Sequence, residues 1–89
     1  MFYFSIESEG FMDFDYGELR KRIKEKLGLE IVFAKRLGMS KTSLSLRLNN
    51  QLHFSQRDIA VALRVLSIPE EEAGKYFLRA KKNDWEEFL

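Results

Sequence analysis

An all-α fold of five short helices is what this sequence predicts, on three observations. Apolar residues recur at helical rather than alternating spacing through residues 16–77. Two segments open on Asp or Ser with an acid three residues later, the pattern of a reciprocal N-terminal cap. Three segments close on residues that tolerate positive φ: Gly28, Gly38 and the pair Asn49-Asn50. A chain of 89 residues has room for one such domain with a modest core. Its 45% apolar and 33% charged residues describe a folded globular chain rather than a disordered one.

The first helix is expected over Tyr16–Leu27. Asp15 is its cap and Glu18 the box partner, while Phe14 and Leu19 form a hydrophobic staple. Tyr16, Leu19, Ile23 and Leu27 mark its apolar face, and Gly28 stops it. The second helix covers Glu30–Leu37, with Ile31, Phe33, Ala34 and Leu37 apolar. Leu29 sits where a polar cap is favoured, a loss of about 1 kcal/mol. The third runs from Lys41 to about Asn49, capped by Ser40, with Leu44 and Leu48 on one face. The fourth repeats the device of the first: Phe54 and Ile59 as staple, Ser55 and Asp58 as box. Ile59, Ala62, Leu63 and Leu66 form its buried face. Pro69 then breaks the chain, and a fifth helix starts near Glu70 with Ala73, Tyr76 and Phe77 inward. Residues 1–12 form an aromatic-rich extension, either strand or disordered. Residues 13–80 form the domain, and 81–89 a short apolar tail with Trp85, Phe88 and Leu89.

Several function classes have no support. No apolar run is long enough to span a bilayer, and the start lacks the basic and apolar regions of a signal peptide. With no cysteine there is no disulfide framework or thiolate metal site. A cytoplasmic protein is expected. No Ser/His/Asp set, glycine-rich phosphate loop or paired metal ligands can be assembled. His53 is single, and Glu70–Glu72 suit the positive end of a helix. Neither an enzyme nor a cofactor or metal is expected.

The net charge of +1 conceals a segregation. Residues 1–18 carry −5, residues 19–64 carry +8 and residues 65–89 carry −2. A basic middle is the electrostatic footprint of a nucleic-acid binder. It coincides with the segment EIVFAKRLGMSKTSLSLRLNN, residues 30–50, where two helices of about two turns flank Gly38-Met39-Ser40. A helix-turn-helix needs a small residue where the helices cross, which Ala34 supplies. It needs a residue tolerant of positive φ in the turn, which is Gly38. It also needs an apolar residue packing back on the first helix, which is Leu44.

This segment resembles the helix-turn-helix of the phage lambda repressor and Cro superfamily, also called the xenobiotic-response-element type. FAKRLGMSKTSLSLRLNN, followed by FSQRDI and IPEEEAGKYF, looks closest to small Cro-like regulators of Gram-positive phages and prophages. Two positions depart from the pattern. Arg47 stands where Trp, Leu or Ile is common, and Leu29 replaces a polar cap. The resemblance implies a lambda-repressor-like DNA-binding domain whose third helix enters the major groove of an operator, as a homodimer on double-stranded DNA. Base-reading positions are then Lys41, Thr42, Ser45 and Leu46. Phosphate contacts fall to Ser40, Arg47, Asn49, Asn50, Lys35 and Arg36. Transcriptional regulation, most simply repression, is the function implied. The rival reading is a protein-interaction module of the same fold, such as an antirepressor or an antitoxin-like partner.

Overall fold

The computed structural model describes residues 13–81. The expectations for residues 1–12 and for Trp85, Phe88 and Leu89 lie outside them.

Five α-helices form in the expected order: α1 (Gly17–Leu27), α2 (Glu30–Leu37), α3 (Lys41–Leu48), α4 (Gln56–Val65) and α5 (Ala73–Phe77). The start of α1 differs from expectation. Asp15 accepts the N–H of Gly17 at 2.8 Å, but Glu18 does not close a box. The donor it would reach, the N–H of Asp15, is already bonded to the Arg79 carbonyl at 2.7 Å. Glu18 lies instead 3.9 Å from the Arg79 guanidinium. Residues 13–15 thus pair with residues 79–81 through an isolated antiparallel bridge between Phe14 and Ala80, which brings the two ends of the domain together.

The other ends follow their local chemistry. Leu29 opens α2 without a side-chain cap. Gly38 closes it at φ 80°, ψ 29°, and the N–H of Met39 reaches back to the Ala34 carbonyl at 3.0 Å. Ser40 Oγ caps α3 by accepting the N–H of Ser43. The box at α4 is complete: Ser55 Oγ accepts the N–H of Asp58 at 2.9 Å, and Asp58 accepts the N–H of Ser55 at 3.1 Å. The carbonyls at its far end accept from Arg22, at 2.9 Å for Leu66 and 2.8 Å for Ser67. The chain after Pro69 enters α5 through a 3-10 turn, Glu70–Glu72, rather than as one continuous helix.

Phe33, Leu19, Ile23, Leu44 and Leu66 are the largest fully buried side chains. At roughly 1.5–3 kcal/mol for each large apolar side chain buried, they dominate the folding drive. Helix α2 is central, packing on α1, α3 and α4, while α5 packs on α1 and α4. Buried Ala34 leaves room for α3 to pack against α2. Ile59 and Leu63 pack on the core but stay half-buried, so Ala62 and Leu66 carry the inner face of α4. An aromatic run links the domain ends to the α3–α4 loop: Phe14 to Tyr16 at 6.2 Å, Tyr16 to Phe54 at 5.5 Å and Phe54 to Phe77 at 5.3 Å between ring centroids.

Candidate nucleic-acid interface

From Ile31 to Arg57 the chain contains no acid, while Lys35, Arg36, Lys41, Arg47 and Arg57 supply cations. This stretch spans α2, the turn, α3 and the loop into the first turn of α4. Ser40 fixes the start of α3, because its hydroxyl satisfies an amide that the first turn leaves without an intrahelical partner. The next two residues, Lys41 and Thr42, are exposed, and their side chains make no hydrogen bond or ion pair with other described residues. Lys35 and Arg36, in the last turn of α2, are exposed too. Ala34, Gly38 and Leu44 lie where α2 and α3 join. Ala34 and Leu44 are both fully buried, and Gly38 lies in the left-handed region. A Cβ at Gly38 would meet nothing within 4 Å, so backbone conformation alone, not crowding, favours glycine there.

The far end of α3 is arranged differently. Ser45 and Leu46 are half-buried, one turn after Lys41 and Thr42. Asn49 is exposed but turns back, donating to the Ser45 carbonyl at 2.9 Å and the Ser45 hydroxyl at 3.3 Å. Asn50, expected at phosphate, has partners within the domain. At φ 65° its side-chain amide clasps the backbone of Phe14, accepting the N–H at 2.8 Å and donating to the carbonyl at 3.0 Å. The amide donor that would meet a phosphate is engaged inside the domain. Arg47, also expected at phosphate, is likewise bonded within the domain. Its Nη1 donates to the carbonyl and hydroxyl of Ser43, and its Nε lies 3.7 Å from the carboxylate of Asp58.

Asp58 was not anticipated beyond its capping role. It is the one buried charged residue among those described. The sequence signal was present, since Arg47 occupies an otherwise apolar seam position and a buried guanidinium needs a counter-charge. Phe14 as the partner of Asn50 carried no such signal, because the two are 36 residues apart.

No helix among the described residues is long and apolar enough to cross a membrane. What the geometry defines is a small all-helical domain with a basic face formed by α2, a tight turn and α3, exposed at the start of α3 and internally bonded at its end. The chain belongs to the DUF739 family, described as a protein of unknown function, which matches residues 12–80. No curated protein matches it. Among solved structures it is similar to the solution structure of the modulator of repression (MOR) of the temperate bacteriophage TP901-1 from Lactococcus lactis. That likeness has 34% identity and a TM-score of 0.64, and covers 72% of this chain and 86% of the phage protein.

Proposed function

We propose that this protein is a phage-type regulator that binds duplex DNA with the start of α3 in the major groove, as a transcriptional regulator acting in two copies on a palindromic operator. The observation that carries the reading is the exposed pair Lys41 and Thr42 at the capped start of α3, within a stretch free of acids. Lysine can donate to guanine O6 or N7, and threonine can bond a base edge or touch a thymine methyl. Lys35 and Arg36, exposed in the last turn of α2, would contact phosphate, which orients the helix without reading sequence. The likeness to a phage modulator of repression supports a regulatory role. One helix-turn-helix reads few base pairs, which is the reason to expect two copies.

The likeness to a modulator of repression also favours a second reading: a protein that modulates repression can do so by binding a repressor protein. Titration of a labelled random duplex at increasing salt separates the two. DNA binding through the basic face requires log K to fall linearly with log salt, with a slope of about 0.9 for each phosphate contacted. Failure to bind random duplex at low salt, together with a stoichiometric complex with a phage repressor, would replace the DNA reading with the protein-partner reading.

A further inference from the structure

We infer that Arg47 is a positioning residue, which fixes the roll of α3 by tying it to the capping box of α4 and makes no contact with nucleic acid itself. The inference rests on the reading of α3 as the element that meets DNA.

Helix α3 has two fully packed residues, Leu44 and Leu48. They are four apart and lie along one line of the helix surface. Two anchors on a line hold the helix against α2 but leave its rotation about that line weakly determined. Arg47 supplies a third point off the line. One arm of its guanidinium reaches back a full turn to the carbonyl and hydroxyl of Ser43. Its Nε is buried, has no hydrogen-bond partner, and faces Asp58 Oδ2 at 3.7 Å.

Asp58 is itself immobilised, because the same carboxylate oxygen accepts the N–H of Ser55 in the α4 cap. The other cation near it, Arg57, is a largely exposed neighbour at 3.9 Å and adds little. The chain Ser43–Arg47–Asp58–Ser55 therefore runs from the middle of α3 to the start of α4. With the Arg47 side chain only 20% exposed and its charge offset by a carboxylate, Arg47 offers little to a phosphate. It also accounts for an arginine at a seam position where an apolar side chain would pack. An apolar residue fills space there, whereas arginine adds a directional tie.

The phosphate role and the positioning role predict opposite signs for Asp58→Asn. The asparagine oxygen still accepts from Ser55, but the charge that holds Arg47 is gone. If Arg47 served phosphate, its release would tighten DNA binding or leave it unchanged. If Arg47 positions α3, Asp58→Asn should lower the preference for a selected operator over random duplex by roughly 2- to 30-fold. That is the range for residues that set the state of an element without touching its ligand. Arg47→Met should do the same with the salt slope on random duplex unchanged. Arg47→Lys should fail to restore the preference, although a lysine would still serve a phosphate as a point charge.

A salt slope shallower by about 0.9 in Arg47→Met, or tighter binding in Asp58→Asn, overturns the inference. An arm without DNA keeps the inference distinguishable from the DNA reading. Thermal unfolding of Arg47→Met, Asp58→Asn and the double variant should be non-additive, the double losing little beyond either single. Additive losses overturn the tie whether or not the protein binds DNA.

Discussion

The two ends of α3 carry the same kinds of side chain and use them in opposite ways. At the start, Lys41 and Thr42 point into solvent, with only the Ser40 cap engaged locally. At the end, Arg47, Asn49 and Asn50 all bond within the protein, to Ser43, Ser45 and the Phe14 backbone respectively. The difference follows from topology. At the start of α3, just after the turn at Gly38, the described residues leave Lys41 and Thr42 exposed. The end feeds a loop that must meet both α4 and the paired ends of the domain. Residue type makes a side chain eligible for a ligand; the neighbours that the chain path brings decide whether it is available. One helix can thus offer a reading surface and be anchored to the core by the same chemistry at opposite ends.

The largest break of this contrast should come from the anchored end. Asn50→Ala removes two half-buried hydrogen bonds at about 1 kcal/mol each and leaves a Cβ residue at positive φ, a further 1–2 kcal/mol or so. Melting should fall by on the order of 10 °C or more. Asn50→Gly accepts the backbone conformation but not the clasp, so it should lie between the two. Random-duplex binding of both variants, measured well below the melting point, should keep its salt slope. A shallower slope would return Asn50 to phosphate contact.

The open end should respond in the reverse sense. Lys41→Ala and Thr42→Ala should each weaken binding to a selected operator by roughly 1–3 kcal/mol and relax preference at one or two base pairs. Their melting temperatures should stay close to that of the wild type, because neither side chain bonds to another described residue. Binding of each variant to the operator and to its single-base changes checks this. Undiminished base preference would move specificity to Ser45, Leu46 or DNA shape.

How much of this was legible in the sequence divides along the same line. Local signals carried the open end. Ser40 as cap, Gly38 as left-handed turn, Ala34 and Leu44 as the packed pair, and the full box at Ser55 and Asp58 all depend on residues within a few positions of one another. The turn between α2 and α3 and the five-helix order follow from them. The anchored end depends on partners brought together by tertiary structure. Asn50 meets Phe14 across 36 residues, Arg47 meets Asp58 between two helices, and Glu18 loses its capping donor to Arg79. Spacing rules see none of these contacts. Arg47 and Asn50, expected at phosphate, therefore have intramolecular partners that local spacing does not show: a polar side chain near a core is recruited by the nearest unsatisfied group.

The smallest effect lies beneath the anchored end, where Tyr16 lines the same cleft as Leu48, Asn49 and Asn50. Burial pushes its hydroxyl above the ordinary value of 10.0, because the anion would lose hydration in that environment. An acid whose folded value is raised contributes stability that is fully present below its unfolded value. That stability is lost as pH climbs through the folded value. The native protein should therefore lose stability above about pH 10, as ionisation of Tyr16 favours the unfolded chain. Tyr16→Phe keeps the ring against Phe54 and removes the ionisation. Its stability should fall less steeply over the same alkaline range and differ little from wild type near neutrality. Chemical denaturation of both proteins from pH 8 to pH 11 measures the difference directly, with lysine titration common to both. Parallel curves would mean that the hydroxyl reaches water in the folded state, and that the anchored end of α3 is looser than its hydrogen bonds imply.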